Sequence, residues 1–415
     1  MKIQFKILLL MLITSVAGYG QNHKILEESF SVNENTSVVL NFENIYVAIE
    51  ESTDGKIHFD YIMEFEGFSK KEMQEKLKEV SVKVSNFDNG VTLNAKSENQ
   101  INFVSYEIDA EYGITYSGDF TGKKKDTILR KTKDSLLSEI RYNNKVQWSG
   151  NPLKFINNKF KKLDKDGNLS NIRKGNMNIL RSQFLIKIPP FVKLNINGKN
   201  SGIHFRNDLP NEISVKLKSG TLKTKSLFNN YNKVIIDDAN FEVETISGGD
   251  YEFINVKNGK IASIKNAKIK SEFSKVEIGE IAKHTTITDF NSEYWFYNWS
   301  QDFERFNLYS EYSKIHFWYP KANHSLKVIG NNTKNLVGNN KFEINMQPTS
   351  KGEKYTMMVK KPHSGEKLSG QIFFDIVHGI IYSHNDSIKK INSMMFKMER
   401  IVNQNVKQKK ESGVN

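Results

Sequence analysis

A repeated triplet constrains the fold of this chain more strongly than any other feature of its sequence. Seven short apolar–polar–apolar triplets recur behind small or polar turn residues, and the six intervals from Ile203 to Ile315 cover 112 residues, a mean period of about 19. Such a period, with strand alternation, is typical of a β-solenoid, whose coils bury their apolar faces only by stacking on one another. We therefore predict an all-β fold, a parallel β-solenoid with about 19-residue coils over residues 181–385. The repeat positions are Gly202-Ile203, Gly220-Thr221-Leu222, Asn240-Phe241, Gly259-Lys260-Ile261, Ser274-Lys275-Val276, Ser292-Glu293-Tyr294 and Ser313-Lys314-Ile315.

The N-terminal β region, residues 21–120, carries the same alternation. The tripeptide Ile-His-Phe begins at Ile57, Ile203 and Ile315, each time after a turn that contains Gly or Ser. This recurrence ties the N-terminal strands to the repeat. An antiparallel β-sandwich is the alternative fold, since regular short strands also suit it, although hairpin signals such as Asn-Gly are few.

Two helices are predicted outside the repeat pattern. Ser69 and Glu72 form a capping box ahead of apolar residues at helical spacing, which indicates one inserted helix near 69–80. The C-terminal segment, residues 386–415, begins with apolar residues at heptad-like spacing and ends in a polar tail. We expect a helix there that caps the last coil and hides its open edge, followed by a loose tail.

Residues 1–20 have the pattern of a secretory signal peptide. Lys2 and Lys6 precede an apolar run over residues 7–16, and small residues stand before a cleavage point ahead of Gln21. The run is shorter than the roughly 20 residues that span a bilayer, and no later segment is long enough. We expect an exported protein without a transmembrane segment, periplasmic or at the cell surface. The chain has no cysteine, which excludes disulfides and thiolate metal sites.

The formal net charge of +13 is concentrated in one segment. Residues 121–180 contain fifteen Lys/Arg and five Asp/Glu. We predict a basic, partly disordered insertion there. The more specific alternative is that its positive charge makes contact with an anionic envelope surface. A nucleic-acid binder would display basic residues on its folded face, and only seven of the 60 cationic residues are Arg. We expect no nucleic-acid partner.

Two stretches of alternating residues carry a family resemblance. The strand SVVLNF at 37–42 leads to YVAI at 46–49, and FLIKIPP at 184–190 leads to SGI at 201–203. These segments resemble bacterial exported putative-adhesin β-solenoid proteins of the Bacteroidetes type, whose domain has no assigned function. The resemblance covers the strand regions and neither the basic insertion nor the C-terminal helix. It implies an exported solenoid without a catalytic signature, so no active residue is carried over.

Few carboxylates are candidates for catalysis. A polysaccharide-acting enzyme needs two acidic groups at a fixed separation, and Asp237, Asp238 and Asp289 are the residues considered. Adjacent strand residues face opposite sides, so at most one of the first two can face a given surface. We expect Asp237-Asp238 to form a coil turn.

Metal-binding patterns are weak. His58, His204 and His316 occupy equivalent repeat positions between apolar neighbours, which predicts surface histidines that point outward. Residues 164–168 begin like a calcium loop, but position 6 of that loop is Leu169 where Gly is needed. We expect no metal and no cofactor.

An aromatic segment over residues 294–319 is the strongest candidate for binding. It contains twelve Phe, Tyr and Trp, where the 11% average predicts about three. Strand alternation places aromatic side chains on both faces, and only one face can enter the core. The other is either an exposed ligand-binding row or a ladder covered by an intramolecular loop or the C-terminal helix. The candidate binding residues are Trp295, Tyr297, Trp299, Trp318 and Tyr319.

These features predict an exported, non-catalytic β-solenoid that acts as a binding or adhesion protein of the bacterial cell envelope. Its ligand would be an envelope protein or a polysaccharide. One alternative is a polysaccharide-acting enzyme on a β-helix scaffold, which only the fold suggests. Another is an envelope-stress or assembly component that works by displaying the basic insertion.

Overall fold

Strands dominate the structure. The computed structural model describes residues 21–66, 68–98, 107–108, 130–148, 177–336, 343–348, 354–362, 364–365 and 367–384. The helices within these ranges are α1 (Lys70–Lys78) and α2 (Lys133–Trp148). The strands are β1 (Gln21–Ser31), β2 (Ser37–Glu43), β3 (Tyr46–Glu51), β4 (Lys56–Glu66), β5 (Val80–Phe87), β6 (Gly90–Ser97), β7 (Glu107–Ile108), β8 (Met177–Ile188), β9 (Lys193–Phe205), β10 (Ile213–Leu227), β11 (Lys233–Ser247), β12 (Asp250–Ile254), β13 (Gly259–Lys265), β14 (Ala267–Glu272), β15 (Lys275–Ile281), β16 (His284–Phe290), β17 (Glu293–Trp299), β18 (Arg305–Glu311), β19 (Lys314–Trp318), β20 (His324–Asn331), β21 (Lys334–Leu336), β22 (Glu343–Pro348), β23 (Lys354–Lys360), β24 (Gly370–Val377) and β25 (Ile380–His384).

Two ladders of parallel strands run through the structure. The first ladder joins β6, β2, β9, β10, β11, β12, β14, β16, β18, β24 and β20 in that order. The second ladder joins β8, β3, β9, β10, β11, β13, β15, β17, β19, β25 and β21. The prediction of an all-β fold with parallel strands is confirmed.

The spacing of paired residues follows the sequence repeat. From β9 to β19 the smallest step is 17 residues, between Lys233 and Asp250, and the largest is 21, between Glu293 and Lys314. Among the described strands of this region every pair is parallel, which an antiparallel β-sandwich would not allow. Antiparallel pairs lie nearer the two ends, where β4 pairs with β1 and β8, and β23 pairs with β20 and β22.

A corner joins the first ladder to the second within each repeat. One residue of each of these corners has a left-handed backbone, with φ between 48° and 59°. These residues are Asn44, Asn200, Ser219, Asp238, Asn255, Phe273, Asn291, Tyr312, Asn332 and His378. Asn and Asp tolerate this conformation because their short side chains bond locally, whereas bulky residues rarely adopt it.

A ladder of serines stabilises consecutive corners. The Ser274 hydroxyl accepts the backbone N–H of Val256 at 3.1 Å. Ser292 accepts from Ser274 N–H at 2.9 Å, and Ser313 accepts from Ser292 N–H at 3.1 Å. These hydroxyls satisfy buried backbone donors that the corner leaves outside the strand ladders. The small or polar turn residues of the sequence repeat are therefore the corner residues.

Of the two described helices, α1 lies where the sequence predicts a helix and α2 lies inside the basic segment. Helix α1 has the predicted capping box between Ser69 and Glu72, which confirms the inserted helix. Helix α2 packs Leu136 and Ile140 against Ala262 of β13. No helix in the described part of the chain is long and apolar enough to cross a membrane. The signal peptide, the calcium-like loop and the C-terminal helix predicted over 386–415 lie outside the described residues.

Candidate functional site

The five aromatic residues chosen from the sequence do not form an exposed row. On the outer face of the second ladder, Trp295, Tyr297 and Trp318 are 8%, 4% and 3% exposed. Trp299 and Tyr319 are half-buried and pack against the core. Of the two interpretations of this segment, an exposed ligand-binding row and a covered aromatic ladder, the second describes these five residues. They therefore offer little surface to a ligand.

Neighbouring elements cover this outer face. The ring of His384 stacks on Trp318 with centroids 4.4 Å apart, and the ring of His316 stacks on Trp295 at 5.0 Å. Arg130, which precedes α2, donates from Nε to the backbone oxygen of Tyr297 at 2.9 Å. The covering groups therefore come from the next strands of the ladder and from the basic segment.

A different set of aromatic side chains is exposed at the corners. We call Phe273, Phe290, Tyr312 and His378 the corner row. Phe273, Phe290 and Tyr312 are 51%, 39% and 52% exposed, and His378 is also exposed. In this order, the centroids of neighbouring rings are 5.5, 5.8 and 5.0 Å apart. The four rings belong to four successive strands of the first ladder or to the corners that directly follow those strands. The row is therefore continuous and faces solvent.

The backbone of the corner row is unfavourable for its residues. Phe273, Tyr312 and His378 have φ of 50°, 58° and 54° at the position where other corners have Asn. The left-handed region costs a non-Gly residue about 1–2 kcal/mol, and here solvent exposure limits the compensation from burial. Strain of this kind at an exposed aromatic residue leads to the hypothesis of a role in binding, since backbone propensity does not favour it.

A hollow of about 400 Å³ lies beside the corner row, on the side of the second ladder. Phe273 and Tyr312 contribute to its walls, and Asn291 lies between them. Its lining includes the charged residues Lys257, Lys275, Glu293 and Lys314. Aromatic rings and polar groups thus lie together within one concave surface.

The hollow contains more positive than negative charge. Burial would raise the pKa of the Glu293 carboxyl, but a hydrogen bond from His316 and the charges of Lys275 and Lys314 hold that pKa below its usual value. Glu293 is therefore ionised at neutral pH and compensated by the cations around it. Lys257 is paired with Asp238, so Lys275 and Lys314 against the Glu293 carboxylate leave the hollow with a net positive charge.

The candidate catalytic carboxylates do not come together. Asp289 is 5% exposed and accepts hydrogen bonds from the hydroxyls of Ser271, Ser310 and Ser313. Asp238 lies at a corner, as the turn prediction required, and pairs with Lys257 at 3.2 Å. Asp289 is on β16 and Asp238 on β11, with β12 and β14 between them in the first ladder.

The prediction of surface histidines is wrong for two of the three. His204 and His316 are 8% and 4% exposed, and the rings of Trp295 and Tyr382 stack on His316. In the strand next to His204, Lys223 pairs with Glu242 at 2.8 Å, and their side chains are only 3% and 7% exposed. His58 is more accessible and contacts Asp54 at 2.9 Å.

The stability of the protein should fall in acid because of His204. Burial, followed by the charges of Lys223, Arg206 and Lys225, lowers its pKa to about 4. Between its unfolded pKa of about 6.5 and pH 4, only the unfolded state binds the proton, so the free energy of unfolding decreases by up to about 3 kcal/mol. Urea unfolding of His204→Gln should show a shallower decrease from pH 6.5 to pH 4. Equal slopes for His204→Gln and wild type would contradict the assignment.

The corner row could have been found from the sequence. Asn precedes the small turn residue at Asn200-Ser201 and Asn291-Ser292, whereas Phe273 and Tyr312 precede Ser274 and Ser313. Alignment of the repeats at the turn serine would show two large aromatic residues in an Asn position. The density of aromatic residues over 294–319 instead drew attention to the covered face.

Two solved structures are similar to this chain. One is described as a putative cell adhesion protein from Clostridium sporogenes, with 11% identity and a TM-score of 0.16, covering 88% of this chain and 100% of that chain. The other is described as a putative adhesin from Bacteroides fragilis, with 7% identity and a TM-score of 0.23, covering 88% of this chain and 97% of that chain. At these values neither structure indicates what this chain binds. No protein-family model and no curated protein matches the chain.

Proposed function

We propose that this protein is an exported, non-catalytic binding protein of the bacterial cell envelope and that it holds its ligand on the corner row. The observation that carries this proposal is the run of four solvent-exposed aromatic rings, three of which lie at strained corner positions. Exposed aromatic side chains are suited to binding because they bury a large apolar area with little loss of side-chain freedom. Export is inferred from the pattern of residues 1–20.

Catalysis is not part of this proposal. Asp289 is enclosed by three hydroxyls, and Asp238 is paired with Lys257. Contact of residues 121–180 with an anionic surface remains a separate proposal, and within that segment Lys131 and Lys133 pair with Glu277 and Glu280. These two cations are therefore engaged within the fold.

Replacement of the corner aromatics by the residue of neighbouring corners should remove binding without unfolding the protein. In Phe273→Asn/Tyr312→Asn, the loss of two exposed anchors should reduce retention on the cell-envelope fraction at least about tenfold. Asn tolerates the left-handed backbone, so the double variant relieves backbone strain at both corners. This gain should offset the lost ring contacts and keep the free energy of unfolding within about 1 kcal/mol of wild type. Pull-down of the full chain with its envelope fraction and urea unfolding measure the two effects.

A matched control distinguishes binding at the corner row from nonspecific binding through any exposed aromatic ring. Tyr231 is 74% exposed in a turn away from the corner row, and Tyr231→Asn removes an accessible ring. Because the Tyr231 ring is more exposed than those of Phe273 and Tyr312, nonspecific binding would show in this control; its retention should equal that of wild type. Wild-type retention by the Phe273/Tyr312 double variant would show that the ligand binds elsewhere and would reject the corner row as the site.

A further inference from the structure

The two edges of the corner row differ in charge, with lysines on the side of the hollow and glutamates on the opposite side. This difference in charge identifies a class of ligand. We infer that the ligand is an acidic glycan chain that lies along the corner row, with its anionic groups in the lysine-lined hollow. This inference rests on the proposed function, since it requires that the corner row is the binding site.

The length of the row favours an extended ligand. The four rings lie at four successive levels of the first ladder, and three strand spacings of about 4.8 Å make the row about 14 Å long. That length exceeds a single sugar ring. A chain aligned with the stacking direction of the strands can place consecutive rings on consecutive aromatic side chains, and each added contact is made at a high effective concentration.

The width of the row favours a glycan over a folded protein. The row is one ring wide, and exposed charged residues border it on both sides: Lys275 and Lys314 on the second ladder, and Glu272 and Glu311 on the first. A stable protein interface takes a broader desolvated centre that is depleted of charge. A sugar chain has apolar ring faces and polar edges, which match an aromatic strip between two polar borders.

The charges of the two borders assign the orientation of the chain. On the hollow side, Lys275 and Lys314 lie on either side of Glu293 in the register of the second ladder, and Lys257 lies nearby. The Nζ atom of Lys275 lies 4.5 Å from the centroid of the Trp295 ring, and this contact orients the lysine side chain. Ammonium groups bind carboxylate, sulfate or phosphate substituents. Glu272 and Glu311 repel anionic substituents, but their carboxylates accept hydrogen bonds from sugar hydroxyls.

An array of acidic and neutral oligosaccharides, probed with the full chain, tests the inference. We expect the bound set to carry carboxylate, sulfate or phosphate groups, with affinity that rises with chain length up to about the length of the row and falls with ionic strength. Lys275→Gln/Lys314→Gln should weaken binding to acidic members about tenfold. The control Lys268→Gln/Lys270→Gln removes the same charge from exposed positions of β14 and should bind like wild type.

The possible failures can be told apart by the Phe273→Asn/Tyr312→Asn variant. Binding of neutral oligosaccharides alone, or equal effects of the two lysine pairs, would overturn the acidic-glycan inference and leave the corner row as the site. An array without any bound glycan would also overturn it if the aromatic variant still loses retention on envelope, because the ligand would then be a protein. If the aromatic variant keeps that retention, the proposed function fails as well.

Discussion

Replacement of Glu242 by Met is expected to reduce the free energy of unfolding by about 3–5 kcal/mol, one of the two largest effects that we predict for a single substitution in this chain. Glu242 and Lys223 are 2.8 Å apart, with 7% and 3% of their side chains exposed. The variant removes the counter-charge of a lysine that is almost completely shielded from water, and such a charge must then be desolvated or neutralised. Urea unfolding at pH 7 measures the loss.

The double variant Glu242→Met/Lys223→Met is expected to recover most of that stability. A buried ion pair gains little over apolar residues of similar volume, because desolvation of two charges opposes their attraction. The exposed pair formed by Asp238 and Lys257 is the matched comparison, since its side chains are 48% and 83% exposed. Asp238→Asn should cost less than about 1 kcal/mol. A loss in Glu242→Met no larger than this would show that water reaches Lys223.

The fold was predictable because its signals are local. Alternation in segments such as 37–42 needs only the residues of one strand, and the helix after Ser69 is indicated by its own capping box. The period of about 19 was visible because each corner requires a small or polar residue at the same place. These features do not depend on what lies across the structure.

The outward face of the second ladder was not predictable in the same way. Alternation correctly separates Trp295 from Phe296, but the exposure of an outward residue depends on elements distant in the chain. Arg130 and His384, which approach this face, are far from residue 295 in sequence. Covering by remote elements therefore buries the residues that the sequence marks as candidates for binding, while Tyr312 of the same segment lies at a corner and is 52% exposed.

The second large effect is expected at Asp289. Its carboxylate accepts from Ser271 and Ser313 at 2.5 Å and from Ser310 at 3.2 Å, and all four residues are at most 5% exposed. The Ser271 hydroxyl lies 2.6 Å from the Tyr294 hydroxyl, so it can accept from Tyr294 while it donates to Asp289. Asp289→Ala removes the common acceptor of three buried hydroxyls. At about 1–3 kcal/mol for each of the three hydroxyls left unsatisfied, we expect a loss of at least about 3 kcal/mol.

Two further variants distinguish this network from simple loss of volume. Asp289→Asn keeps the shape and one acceptor oxygen, so it should lose about half as much as Asp289→Ala. Ser310→Ala should destabilise the wild type more than it destabilises Asp289→Ala, since the hydroxyl has no carboxylate to bond in the second background. Additive losses in this cycle, measured by urea unfolding, would show that the serines and the carboxylate act independently.

The same network connects the core to the candidate site. Ser313 donates to Asp289 and accepts the backbone N–H of Ser292, and it directly follows Tyr312 of the corner row. Loss of the carboxylate should therefore loosen the corner that holds Tyr312. Asp289→Asn, at a temperature where it remains folded, should bind envelope more weakly than wild type, whereas Glu242→Met/Lys223→Met, which changes a site outside that hydrogen-bonded network, should not. Equal binding by Asp289→Asn and wild type would show that the corner backbone holds the ring without help from the buried carboxylate.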